Sequence, residues 1–139
     1  MEAKVVWKSG MAFTGSAGSG FEIPLDAAVE SGGENTGGRP MELLAIGLAG
    51  CTAMDVISIL KKKQANVTAF EVRVSAERAE EHPKRFTRIL IEYVVTGHAV
   101  DPAAVARAVE LSETKYCSAA ASLRPGAEID HKITILEAR

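Results

Sequence analysis

The sequence predicts an α+β fold with the element order βββ-α-ββ-α(α)-β. Three observations lead there. Short runs broken by Gly and Ser fill the first third, one long apolar segment follows Pro40, and three later runs alternate with a period of two around a helical stretch.

The elements follow in order. "KVVWK" (4–8), "MAFTGSA" (11–17) and "FEIPLD" (21–26) are separated by "SG" and "GSG" turns, the pattern of an antiparallel meander. Pro24 inside the third run points to an edge or a strand end, because proline cannot donate to a ladder. "SGGENTGG" (31–38) is a loop. A helix then starts at Pro40, with Glu42 in the first turn where a carboxylate suits the dipole. From Met41 to Leu60 apolar residues cover most faces, so burial nearly all round is expected, and "KKK" (61–63) puts cations at the negative pole. "FEVRVSAER" (70–78) and "RFTRILIEYVVTG" (85–97) alternate as half-buried strands across the polar turn 79–84. Asp101 and Pro102 start a helix over 101–113, "KYCSAAASL" is a further short helix, and 127–138 closes the chain as a strand.

With 139 residues, one domain spanning 1–139 is expected. Hydrophobic residues make up 47% and charged residues 24%, a soluble composition, and a net charge of −2 gives no general attraction to nucleic acid or anionic membrane. The run from Leu43 to Met54 falls short of the ~20 residues a membrane span needs before Asp55 interrupts it. Met1 and Glu2 lead into a strand-like stretch rather than a basic, then apolar, signal segment, so a cytoplasmic, reducing setting is expected and a standing disulfide is not.

Two cysteines stand out. Cys51 lies within the apolar helix and Cys117 in "ETKYCSAAASL", 66 residues apart. Taken alone they read as inert core thiols, since free Cys is among the most buried residue types. No metal site or cofactor is expected: there is no C-x-x-C, and His82, His98 and His131 have no ligand spacing. His82 and His98 fall in turns, and His131 reads as a strand residue facing water. No G-x-S-x-G is present, and "GSAGSG" joins strands without the following helix and Lys of a phosphate loop.

"RPMELLAIGLAGCTAMDV" resembles the central helix of the OsmC/Ohr superfamily, and "KYCSAAASL" is similar to its second cysteine segment. The order of elements matches across nearly the whole chain. The resemblance implies antiparallel sheets packed around a buried central helix in an interwound homodimer, with two equivalent sites at the interface. It further implies an oxidoreductase of the oxidative stress response that reduces organic hydroperoxides. Cys51 would be the peroxidatic thiolate, Cys117 the resolving thiol, and an external dithiol the reductant.

The sequence departs from the peroxidase pattern in two places. Residues 1–38 contain no Arg, although family peroxidases take one from the N-terminal strands to hold the thiolate. The family's Glu position, directly after the Pro, holds Met41, with Glu42 one residue late. Nine residues of helix turn Glu42 away from Cys51 and set them about 13 Å apart, so Glu42 reads as first-turn electrostatics. Arg39 is the candidate replacement cation, reaching a site across the dimer, against the simpler reading of a solvated loop arginine. Lys115 and Arg124 flank the second cysteine segment as further candidates. Asp55, one turn after Cys51 on the same face, works against activation of Cys51, since a nearby anion would raise that thiol's pKa. These departures resemble the less characterised YhfA-like branch. They leave open a protein that binds an apolar small molecule at the interface with little or no peroxidase activity, and a protein whose cysteines only pack.

Overall fold

A computed structural model describes residues 1–139. The chain forms two compact units, residues 1–44 and 45–139.

In the first unit, β1 (Ala3–Ser9), β2 (Ala12–Ala17) and β3 (Glu22–Leu25) make an antiparallel sheet in that order. Gly10, at φ 53°, supplies the left-handed turn between β1 and β2. Pro24 sits in the edge strand β3, paired with Thr14, as its missing N–H requires. The glycine-rich loop is organised by one carboxylate. Asp26 accepts from the backbone N–H groups of Ala27 (2.7 Å), Glu34 (3.1 Å) and Thr36 (3.1 Å) and from Thr36 Oγ1 (2.7 Å). The Thr36 hydroxyl foremost, with these backbone donors, holds the Asp26 carboxyl down at about 2. Any side chain at Gly37 would sit 2.6 Å from the Pro24 carbonyl, which explains the glycine there.

α1 (Pro40–Lys62) opens with reciprocal first-turn bonding, in which Glu42 Oε1 accepts from Arg39 N at 2.9 Å and Leu43 N donates to Arg39 O. Its length and a mean hydropathy of 2.0 over 18 residues would suit a membrane span by composition alone. Burial differs from the all-round expectation. Only Leu48, Thr52, Val56 and Leu60 are buried, a stripe repeating every four residues, while Ile46 and Met54 are 63% and 72% exposed. One face of the helix is therefore core and the opposite apolar face is uncovered in the single chain.

In the second unit, β4 (Val67–Arg78) pairs antiparallel with β5 (Phe86–Gly97), and β6 (Glu128–Glu137) pairs with β5 in parallel. The parallel pairing departs from purely antiparallel sheets and follows from connectivity. Between β5 and β6 the chain runs through α2 (Pro102–Leu111), a five-residue π-helical turn (Ser112–Tyr116) and α3 (Ser118–Leu123), a crossover long enough to return the strand in the same direction. Asp101 caps α2, accepting from Ala103 N at 3.0 Å. The core of this unit is Ile89, Ile91, Tyr93 and Val95 of the central strand with Val105, Ala108 and Val109 of α2 and the α1 stripe.

Candidate functional site

Cys51 enters the site from the middle of α1, and Cys117 from the junction between the π-turn and α3. The π-turn ends the α2 direction, and Cys117 leaves the helical region (φ −74°, ψ 100°) as the N-cap of α3, its sulfur accepting from Ala120 N at 3.4 Å. The fold thus brings together thiols that are 66 residues apart. The two sulfurs and a carboxylate oxygen of Asp55 all lie within 4.8 Å of one another, and both cysteines are free.

The two thiols are inequivalent. Cys51 is half-buried, whereas Cys117 is 3% exposed. Burial foremost pushes the Cys117 thiol up to about 11, the Ala120 N–H opposes this, and the contact with Cys51 and the nearby Asp55 carboxylate add to it. Cys117 is consequently a protonated thiol at neutral pH. Asp55 is one of the groups that raise the Cys117 thiol, a neighbour that its one-turn spacing from Cys51 did not point to.

Behind the thiols lies a set of polar side chains that sequence reasoning missed. Ser112 Oγ donates to Asp55 Oδ2 at 2.9 Å, and Thr52 Oγ1 lies 2.8 Å from Ser112 Oγ and 2.7 Å from Tyr93 OH. Tyr93 OH is 3.2 Å from Glu113 Oε1, and Glu113 Oε2 is 2.9 Å from His131 Nδ1. Burial, first of all, raises the Tyr93 phenol well above its ordinary value. His131 is an exposed residue of β6, as expected, and its ring is also bonded to Glu113 and lies edge-on to Tyr93 at 6.3 Å. The available signal was Thr52 itself, a hydroxyl beside Cys51 on a helix face otherwise made of Leu and Val.

The remaining sequence candidates have other partners. Glu42 caps the start of α1, as its first-turn position implied. Arg39 is half-buried rather than solvated, donating from Nη1 to Gly37 O at 3.0 Å. It also lines an apolar cleft of ≈ 430 Å³ in the first unit, with Val5, Met11, Phe13, Leu25 and Pro40. Arg124 donates to the Glu113 carbonyl at 3.0 Å, and the Lys115 ammonium lies 5.3 Å from the Tyr116 ring centre. His82 and His98 are in bends, and His98 Nδ1 is 3.8 Å from Glu137 Oε2. Cys51, Asp55 and Cys117 are also the donors able to hold a thiophilic cation, a grouping that linear spacing did not reveal.

A cysteine on a long helix, paired with a second at a helix start and set in an α+β frame, defines a thiol protein of the OsmC type. The chain belongs to the OsmC-like protein family, whose sequence pattern matches residues 33–132. Protein YhfA of Escherichia coli K12 is 40% identical over 141 residues, covering 99% of this chain and all of that protein. A hypothetical protein from Aquifex aeolicus VF5 has a crystal structure matching at TM-score 0.86 and 32% identity, over 99% of this chain and 97% of that one. The organic hydroperoxide resistance protein OhrB of Bacillus subtilis shares the fold at TM-score 0.62 and 21% identity, over 96% of this chain and 98% of that one. The chain thus has the OsmC fold, with the YhfA-like likeness expected from its sequence.

Proposed function

We propose that the protein is a cysteine-based peroxidase that reduces organic hydroperoxides and works as a homodimer in the reducing cytoplasm. The observation that carries this is the pairing of a half-buried and a buried cysteine whose sulfurs lie within 4.8 Å. The Cys51 thiolate attacks the distal oxygen of ROOH, the O–O bond breaks, and the alkoxide leaves and takes up a proton as ROH, so that Cys51 becomes a sulfenic acid. Cys117 supplies the second thiol. An S–S bond forms, the sulfenic oxygen leaves as water, and an external dithiol reduces the bridge while becoming a disulfide itself. Cys117, held as a thiol by burial, suits the resolving role and Cys51 the attacking one.

The dimer is supported by uncovered apolar surface. In β1, Val5, Val6 and Trp7 are 51–63% exposed, and the outer face of α1 presents Ile46 and Met54. Arg39 is the proposed cation for a thiol site across that dimer, with Glu42 fixing its backbone. Peroxide consumption with a dithiol reductant tests the reaction: wild type turns over cumene hydroperoxide and Cys51→Ser does not, whereas undiminished turnover in that variant overturns it.

The cleft lined by Val5, Met11, Phe13, Leu25 and Arg39 favours a second reading, an OsmC-fold protein that binds an apolar small molecule with little or no peroxide chemistry. Native mass spectrometry after gentle purification distinguishes the two, since a retained apolar ligand with slow Cys51 alkylation supports binding alone.

A further inference from the structure

We propose that Cys51, Asp55 and Cys117 form a binding site for one Zn²⁺ ion in the reduced protein, with two thiolates and one carboxylate as its donors. One donor atom from each residue lies within 4.8 Å of the other two. Zn–S bonds of about 2.3 Å and Zn–O bonds of about 2.1 Å at tetrahedral angles set bound donors roughly 3.6–3.8 Å apart, so closing the site takes shifts of about 1 Å. Cys51 and Asp55 stand one turn apart on the same face of α1. Cys117 comes in from the N-cap of α3, where the Ala120 N–H donates to its sulfur.

The carboxylate is oriented before any cation arrives. Ser112 Oγ donates to Asp55 Oδ2 at 2.9 Å, and Ser112 is itself bonded to Thr52, which bonds Tyr93. Ser112, Thr52 and Tyr93 are all 0% exposed, so their packing fixes these positions. An outer layer of this kind aims a ligand carboxylate and leaves its remaining lone pairs for the metal.

Asp55 is the residue that separates a cation site from a bare redox pair. Two thiols that only form a disulfide gain nothing from a carboxylate beside them, since an anion disfavours the attacking thiolate. None of the chain's salt bridges includes Asp55. A divalent cation reverses the sign, because it holds both sulfurs as thiolates and pairs with the carboxylate at once. The two thiol hydrogens leave to solvent as protons, and Zn²⁺ with three anionic donors carries one net negative charge. The donor set also selects the class of metal: thiolates favour Zn²⁺ and softer ions, whereas Mg²⁺ and Ca²⁺ require shells of oxygen. Cys51 and Asp55 are half-buried, which gives the ion a path of entry and leaves a fourth position for water.

This site goes beyond the peroxidase reading and does not rest on it. The same sulfurs cannot serve both at once. A disulfide between Cys51 and Cys117 has no thiolate to offer, so the oxidised protein releases Zn²⁺, and bound Zn²⁺ shields Cys51 from electrophiles. Ser112 is a positioning residue here, acting through Asp55.

The test uses Co²⁺ as a spectroscopic probe, titrated into the full-length protein kept reduced by a phosphine. Wild type is expected to show thiolate-to-Co²⁺ charge-transfer bands and the intense visible bands of four-coordinate Co²⁺, saturating at one ion per chain and bleached by Zn²⁺. Cys51→Ser and Cys117→Ser should each lose this spectrum. Asp55→Asn keeps the shape of the side chain but not its charge, and should weaken Zn²⁺ binding about tenfold or more, with a similar loss in Ser112→Ala. One equivalent of Zn²⁺ should abolish iodoacetamide labelling of Cys51 in wild type, a readout that serves if a variant does not fold. Wild type with no such bands and with labelling unchanged by Zn²⁺ overturns the proposal. So do bands that survive in both serine variants, or Zn²⁺ affinity unchanged in Asp55→Asn. Peroxide turnover by a protein that binds no Zn²⁺ refutes this site alone, and Zn²⁺ binding without turnover refutes the peroxidase reading alone.

Discussion

Replacing Thr52 by Val removes one oxygen from the interior while keeping the β-branched shape of the side chain. Thr52 Oγ1 makes two short bonds, to Tyr93 OH at 2.7 Å and to Ser112 Oγ at 2.8 Å. Each such bond contributes about 1 kcal/mol net. Tyr93 and Ser112 each keep another partner, Glu113 and Asp55 respectively, so neither hydroxyl is stranded and no further desolvation cost applies. The methyl that replaces the hydroxyl is buried in its place and returns up to about 0.8 kcal/mol. The expected loss is therefore about 1–2 kcal/mol, a fall in Tm of roughly 3–7 °C for a chain of this size. Thermal or urea unfolding at fixed protomer concentration reads it, because association would otherwise shift the midpoint. A double-mutant cycle with Tyr93→Phe should give a coupling of about 1 kcal/mol. A Thr52→Val protein as stable as wild type, with no coupling to Tyr93→Phe, would mean that the hydroxyls do not bond to one another and would refute the reasoning.

Three other outcomes are expected. Leu48→Ala opens a cavity on the buried stripe of α1 and should cost about 2–5 kcal/mol by denaturant titration, whereas Met54→Ala on the exposed face should cost far less in the monomeric state. Asp26 has a folded-state pKa lowered from 3.8 to about 2, so its contribution is complete above pH 3.8 and is lost as the pH falls toward 2; melts across that window should flatten in Asp26→Asn. Cys117→Ser should let a sulfenic acid persist on Cys51 after one equivalent of peroxide, read by trapping with dimedone and mass spectrometry.

Much of this architecture could be read from residues alone because it rests on local signals. Period-two alternation located β4, β5 and β6, Asp101 and Pro102 marked the start of α2, and Pro24 announced an edge strand. The two cysteine segments led to the family. What escaped depends on contacts between distant parts of the chain. The direction of β6 relative to β5 is fixed by how the α2–α3 crossover returns, which alternation does not encode. The composition of α1 suggested burial on every side, but how many faces are covered in one chain depends on neighbours, and only the Leu48, Thr52, Val56 and Leu60 stripe is. Asp55 was legible as a carboxylate one turn from Cys51. Its partner Ser112 was not, because the π-turn that carries it has no composition of its own. His131 read as a strand residue facing water, and its bond to Glu113 shows only once β6 is laid beside β5.

The most direct measurement is the covalent fate of the two sulfurs after one equivalent of cumene hydroperoxide, with acid quench, nonreducing digestion and peptide mass spectrometry. A peptide pair joined between Cys51 and Cys117, short of two hydrogens and formed as the peroxide is converted to its alcohol, is the expected product. Peroxide left unconsumed with both thiols free, or oxidation confined to Cys117, would contradict it.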